Sequence, residues 1–145
     1  MNKIDLNKYT DFVEAITSKE SNDLPSFMNS LDYLDTNYDR ATDKHGPDVN
    51  VPLLITSAMG MCGEAGEFSE IVKKLIFHRK PLTTDLHTHL QKEAGDIFWY
   101  WTNACRALGV DPNQVIADNV AKLEARYPGG KFNAFSANNK LADDI

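Results

Sequence analysis

Two pairs of acids stand where apolar residues belong. On a helical wheel at about 100° per residue, Phe68, Ile71 and Leu75 follow Glu64 at i+4, i+7 and i+11, so Glu64 falls inside an apolar stripe. Glu67, at i+3, lies on the edge of that stripe. Further along, Glu93 aligns with Leu86, Ile97, Tyr100 and Ala104, and Asp96 stands at i+3 from it. An isolated carboxylate costs several kcal/mol to bury and tends to take a proton instead. Ion pairing with Lys74 or Lys92 is one way to offset that cost. Four carboxylates converging from two helices are better compensated by divalent cations, and a donor set made only of oxygen favours Mg²⁺ or Mn²⁺ over zinc. A ferritin-type di-iron centre needs Glu-x-x-His on two helices, and no Glu in this chain has His three residues later.

The elements that must position these acids are helical. Asn50 as cap and Pro52 in the first turn predict a long helix running to about Phe77, ended by HRKPLTT at 78–84. A second runs from about Asp85 to Leu108, where Gly109 stops it. Asp111-Pro112-Asn113-Gln114 is a start signal for a third, which carries Ile116, Val120, Leu123 and Tyr127 on one side and ends at Pro128-Gly129-Gly130. Upstream, a helix after Asp5 has Leu6, Phe12, Val13 and Ile16 as its apolar side. The chain breaks and restarts at Asn22–Pro25, with Phe27, Leu31, Leu34 and Tyr38 at helical spacing. Thr42–Asn50 reads as a polar loop, and the Gly-Gly before Lys131 permits at most a short extended end. No period-2 run is bounded by turns. The expectation is an all-α helical bundle built around two long antiparallel helices that carry the acidic pairs. Residues 1–49 form an N-terminal helical extension packed on the same domain, 50–135 the helical core, and 136–145 a flexible tail.

Composition narrows the partners. The chain has 145 residues, 42% hydrophobic and 25% charged, with a net charge of −6. Such a chain buries a substantial core, and its acidic balance argues against duplex nucleic acid, which requires a basic stripe. No apolar stretch approaches the roughly 20 residues of a membrane span, and the first residues lack the apolar centre of a signal peptide. Cys62 and Cys105 fall among apolar helix positions and read as reduced core thiols of a cytosolic protein. His87 and His89, two apart, face different directions on a helix and read as surface residues. His45, in the loop before the long helix, is a candidate for base recognition. Trp101 reads as core, and Trp99 lies nearer the polar side, where it could serve an interface or a base.

Three segments carry a family resemblance: GEAGEFSEIVKK at 63–74, KEAGDIFWY at 92–100 and NVAKLEARYPGGKF at 119–132. In this order and spacing they resemble the MazG-like all-α nucleoside triphosphate pyrophosphohydrolases, whose pattern is Glu-Glu-x-x-Glu, a spacer, then Glu-x-x-Asp. The spacer between Glu67 and Glu93 is 25 residues here, and Gly63 stands in place of the first Glu. The resemblance covers residues 50 to 135. It implies metal ligation by Glu64, Glu67, Glu93 and Asp96, the same four that the wheel isolates. It also implies an additional acid at Glu70, as ligand or as orienter of the water, and phosphate contacts from Lys74, Asn119, Lys122 and Arg126.

The implied activity is Mg²⁺-dependent hydrolysis of a nucleoside triphosphate, with a deoxynucleotide favoured, to the monophosphate and pyrophosphate. Two or three Mg²⁺ ions serve each site, and Mn²⁺ substitutes. A homodimer or homotetramer is expected, as is a bacterial or phage role in nucleotide-pool control or house-cleaning, in bacterial or host cytoplasm. Two alternatives remain at this point. One is phosphoribosyl-ATP pyrophosphohydrolysis, although the RYPGGKF ending looks more like the MazG side. The other is a non-catalytic helical module that binds metal, nucleotide or protein.

Overall fold

The protein is described by a computed structural model covering residues 5–36, 38–39 and 44–138. Most of these residues are helical, as the periodicity predicts. The chain divides into two compact units, residues 1–51 and 52–145.

In the first unit, helix α1 spans Leu6–Ile16, and Asp5 caps it by accepting from the backbone N–H of Asn7 at 3.1 Å and of Lys8 at 3.3 Å. Such a cap stabilises a helix by about 1 kcal/mol. One further turn, α2 (Lys19–Asn22), fills a stretch not predicted as helical. Helix α3 (Leu24–Thr36) restarts at Asp23, whose carboxylate accepts from the Ser26 hydroxyl at 2.6 Å and the Ser26 N–H at 3.0 Å. Those two bonds hold the Asp23 carboxyl below its ordinary range. The expected apolar side of α1 is not a buried one: Leu6, Phe12, Val13 and Ile16 are all exposed.

The loop reading of residues 42–50 needs correction. Lys44–His45 (β2) pairs antiparallel with Tyr38–Asp39 (β1), Tyr38 opposite His45 and Asp39 opposite Lys44. His45 also meets the Thr36 carbonyl through Nδ1 at 3.1 Å. Thr42 and Asp43 lie outside the described residues.

The second unit begins, but for its first residue, with α4 (Val51–Phe77), 27 residues and so about 40 Å long. Its end is tight. His78 and Lys80 both donate to the Lys74 carbonyl, with Arg79 at φ 51°, the left-handed turn that commonly terminates helices. Helix α5 (Thr84–Ala107) is capped by the Thr83 hydroxyl, and α6 (Pro112–Arg126) by Asp111, with Pro112 at its first position. A last short helix, α7 (Ala134–Asn138), occupies the start of the stretch expected to be a loose tail, and a turn at 128–130 stands where a short extended end was allowed. Asn133 opens α7 by accepting from the Phe135 N–H at 2.8 Å. The rest of the expected tail, 139–145, lies outside the described residues.

Helices α4 and α5 form an antiparallel hairpin packed closely along one seam. Gly60 lies against the ring of Tyr100, so close that a Cβ there would overlap it. Glu64 and Glu67, further along α4, meet Glu93, earlier on α5. The bare backbone at Gly60 thus permits the approach that brings carboxylates from the two helices together one turn further on. Cys105 and Ala107 are buried towards the end of α5 and Ile71 within α4. Cys62, expected in the core, is exposed. Trp101 is half-buried, stacked on Phe98 at 5.2 Å, whereas Trp99 is exposed.

Candidate metal centre

Three of the acids singled out by helical position lie close together in space. One carboxylate oxygen from each of Glu64, Glu67 and Glu93 lies within 4.8 Å of the other two. The Glu-x-x-Glu spacing puts the first two on adjacent turns of one α4 face, and the seam at Gly60 and Tyr100 presents Glu93 to them from α5. Asp96, one turn beyond Glu93, is close enough for its charge to act on Glu64.

The electrostatics at Glu64 are those of crowded acids. The Glu64 carboxyl is raised above its ordinary value, first by loss of hydration, then by hydrogen bonding with Glu93, then by the charges of Glu67, Asp96 and Glu93. Glu93 is the deeply placed member, its side chain only 7% exposed. One of its oxygens, Oε1, lies 2.7 Å from His89 Nε2. The other, Oε2, is buried and has no hydrogen-bond partner among the described residues. Two ionised carboxylates cannot bond each other; a proton on Glu64 or a cation between the acids would relieve the crowding. A buried carboxylate oxygen without a partner, on a residue that gathers with two further acids, fits a hard cation in its chemistry.

Lys74 does not answer the problem. Lys74, a sequence-level candidate for pairing with the buried acids, meets Glu70 at 3.3 Å, and Lys73 pairs with Glu70 as well. Those two ammonium groups hold the Glu70 carboxyl below its ordinary range, and the oxygens that gather at 4.8 Å are those of Glu64, Glu67 and Glu93. Beside the cluster, α5 carries a groove of about 500 Å³ lined by Asp85, Thr88, His89, Lys92, Glu93 and Asp96. On α6, Asn119 and Lys122 are exposed and Arg126 is half-buried. Sequence reasoning missed His89. The signal that finds it is its i,i+4 spacing to Glu93, not its i,i+2 spacing to His87.

The raised Glu64 carboxyl has a signed consequence. The folded chain binds this proton more tightly than the unfolded chain does. The stability it contributes is therefore complete below the ordinary glutamate value and is lost as pH rises through the folded one. Asp23 and Glu70, both lowered, act in the opposite sense and only at more acidic pH. In metal-free buffer, acidification from neutral pH towards the ordinary glutamate value is expected to stabilise the wild type relative to Glu64→Gln. Melting temperatures of the two proteins across that range check this; parallel curves would show that Glu64 is not crowded.

The chain was compared with known families and proteins. Residues 55–130, just over half of the chain, match the family model "MazG nucleotide pyrophosphohydrolase domain". The "Gene 37 protein" of Mycobacterium phage L5 is 36% identical over 73 residues, which cover 50% of this chain and 64% of that protein. No solved structure matches significantly. The matched segment contains α4 from its second turn, all of α5 and α6, and hence the whole acidic cluster. The chain belongs to the MazG nucleotide pyrophosphohydrolase family.

Proposed function

We propose that this MazG-family chain hydrolyses a nucleoside triphosphate, with a deoxynucleotide favoured, to its monophosphate and pyrophosphate in a Mg²⁺-dependent reaction serving nucleotide-pool control or house-cleaning. The observations that carry the reading are the gathering of one carboxylate oxygen from each of Glu64, Glu67 and Glu93 within 4.8 Å and the buried Oε2 of Glu93, which has no hydrogen-bond partner among the described residues. Glu64, Glu67, Glu93 and Asp96 would hold the cations, two or three per site, with Mn²⁺ able to substitute. Bound there, the cations supply Lewis-acid charge for the phosphate oxygens and a lowered pKa for an attacking water.

The remaining work falls to this chain's own side chains. Glu67, exposed on the edge of the cluster, or Glu70 accepts the water's proton as oxygen attacks the α-phosphorus. Of the two, Glu67 has its carboxylate beside those of Glu64 and Glu93, while Glu70 is occupied by Lys73 and Lys74. Lys74, Lys122 and Arg126 neutralise the departing pyrophosphate, and Asn119 adds a neutral hydrogen-bonding contact to the triphosphate. Charge-neutralising groups aimed at the leaving group act where negative charge develops, so they favour the transition state over bound substrate.

The experiment is pyrophosphate release from a panel of eight ribo- and deoxynucleoside triphosphates, with Mg²⁺ or with chelator. Metal-dependent formation of monophosphate and pyrophosphate is expected, and the ranking reads the base and sugar preference. No turnover of any of them in Mg²⁺ would overturn the reading and leave a phosphoribosyl nucleotide substrate or a non-catalytic module.

A homodimer or homotetramer is part of the same proposal. Met59, Phe98 and Trp99 are more than half exposed on α4 and α5, and α6 buries no residue despite its apolar side. Surfaces of this kind mark interfaces. Light scattering is expected to return two or four times the 16.2 kDa of one chain; a monomer at assay concentration would contradict it.

A further inference from the structure

We infer that His89 is a positioning residue for the metal centre, holding one oxygen of Glu93 so that the other is aimed at the cation. The inference rests on the metal reading of the cluster and extends it to a residue outside the acidic motifs. His89 precedes Glu93 by four residues on α5, one helical turn, so the two side chains share a face of a rigid element. Its Nε2 lies 2.7 Å from Glu93 Oε1, the separation of a charge-assisted hydrogen bond in which Nε2–H donates. The ring is 52% exposed while the carboxylate is 7% exposed, so the histidine reaches inward from the rim of the α5 groove.

The consequence follows from the division of labour between the two oxygens. A glutamate has three rotatable bonds, and a carboxylate without other contacts would spread over several orientations. With Oε1 held by His89, the orientation of the group is fixed and Oε2 is left buried and without a partner. Partners of this kind set the direction and basicity of a metal ligand, and losing one typically costs about 10- to 100-fold in metal affinity.

The test measures Mn²⁺ affinity by the loss of its free-ion paramagnetic resonance signal, for wild type, His89→Ala and His89→Gln. Glutamine places an amide N–H at nearly the reach of Nε2. His89→Ala is expected to bind Mn²⁺ about 10- to 100-fold more weakly, and His89→Gln within about threefold of wild type. A histidine that only stabilised the helix would lower the metal-free melting temperature and leave Mn²⁺ affinity unchanged, which would overturn the inference. So would His89→Gln binding as weakly as His89→Ala. Failure of the wild type itself to bind Mn²⁺ would remove the metal reading and this inference with it, whereas wild-type binding with an unaffected His89→Ala removes this inference alone.

Discussion

Replacing Glu93 with Gln is expected to lower metal-dependent pyrophosphate release by roughly 10²- to 10³-fold, the range seen when one preorganised electrostatic group is lost from a transition-state site. The size of the effect follows from where Glu93 sits. It is the one cluster member whose side chain is almost wholly buried, and it brings α5 to the two acids of α4. Glutamine keeps the shape and a carbonyl oxygen for His89, but it offers the cation a neutral amide in place of a charge. Folding should survive, because removing one negative charge from three crowded carboxylates relieves repulsion in the metal-free protein. Circular dichroism and a melting temperature no lower than wild type in chelator check that half of the prediction. Full turnover by Glu93→Gln would remove it from the reacting centre.

Mg²⁺ itself should act as a structural ligand of the folded chain. A ligand that binds only the folded state at about 100 times its dissociation constant stabilises it by about 2.7 kcal/mol. For a domain of this size that corresponds to a rise of about 5–10 °C in Tm. The gain should vanish in chelator and be small in Glu93→Gln. It should not be reproduced by NaCl at equal ionic strength, because screening weakens the repulsion without filling the coordination of Oε2. Differential scanning calorimetry with and without Mg²⁺ is the measurement. A Tm indifferent to Mg²⁺ and chelator would mean that the carboxylates cluster for another reason.

The sequence made the centre legible because burial and charge disagree at particular positions. Glu64 among Phe68, Ile71 and Leu75 is anomalous on any helical wheel, and so is Glu93 among Leu86, Ile97 and Tyr100. Start signals also read directly at Asp5 and Asp111-Pro112, and α5 begins one residue before the expected Asp85, although its cap, Thr83, lies in the segment read as the end of α4. What stayed hidden depended on orientation between elements or on hydrogen bonds too short-ranged to leave a pattern. Glu70 belongs by spacing to the same series as Glu64 and Glu67, but Lys73 and Lys74, at i+3 and i+4 on its own helix, engage it. The two-residue ladder of Tyr38–Asp39 with Lys44–His45 is too short to show alternation. Cys62 sits in an apolar neighbourhood of the sequence yet on an exposed part of α4. The role of His89 required knowing that Glu93 is buried, since an i,i+4 His–Glu pair on an ordinary helix face is a solvated pair of little consequence.

The most direct test of the account is to locate the cation. Crystals grown with Mn²⁺ should show anomalous scattering peaks within about 2.2 Å of carboxylate oxygens of Glu64, Glu67 and Glu93, with Glu93 Oε2 among the ligands and Oε1 still on His89. Ordered peaks elsewhere on the molecule, or a Mn²⁺-saturated crystal in which these carboxylates face only water or lysine, would contradict it.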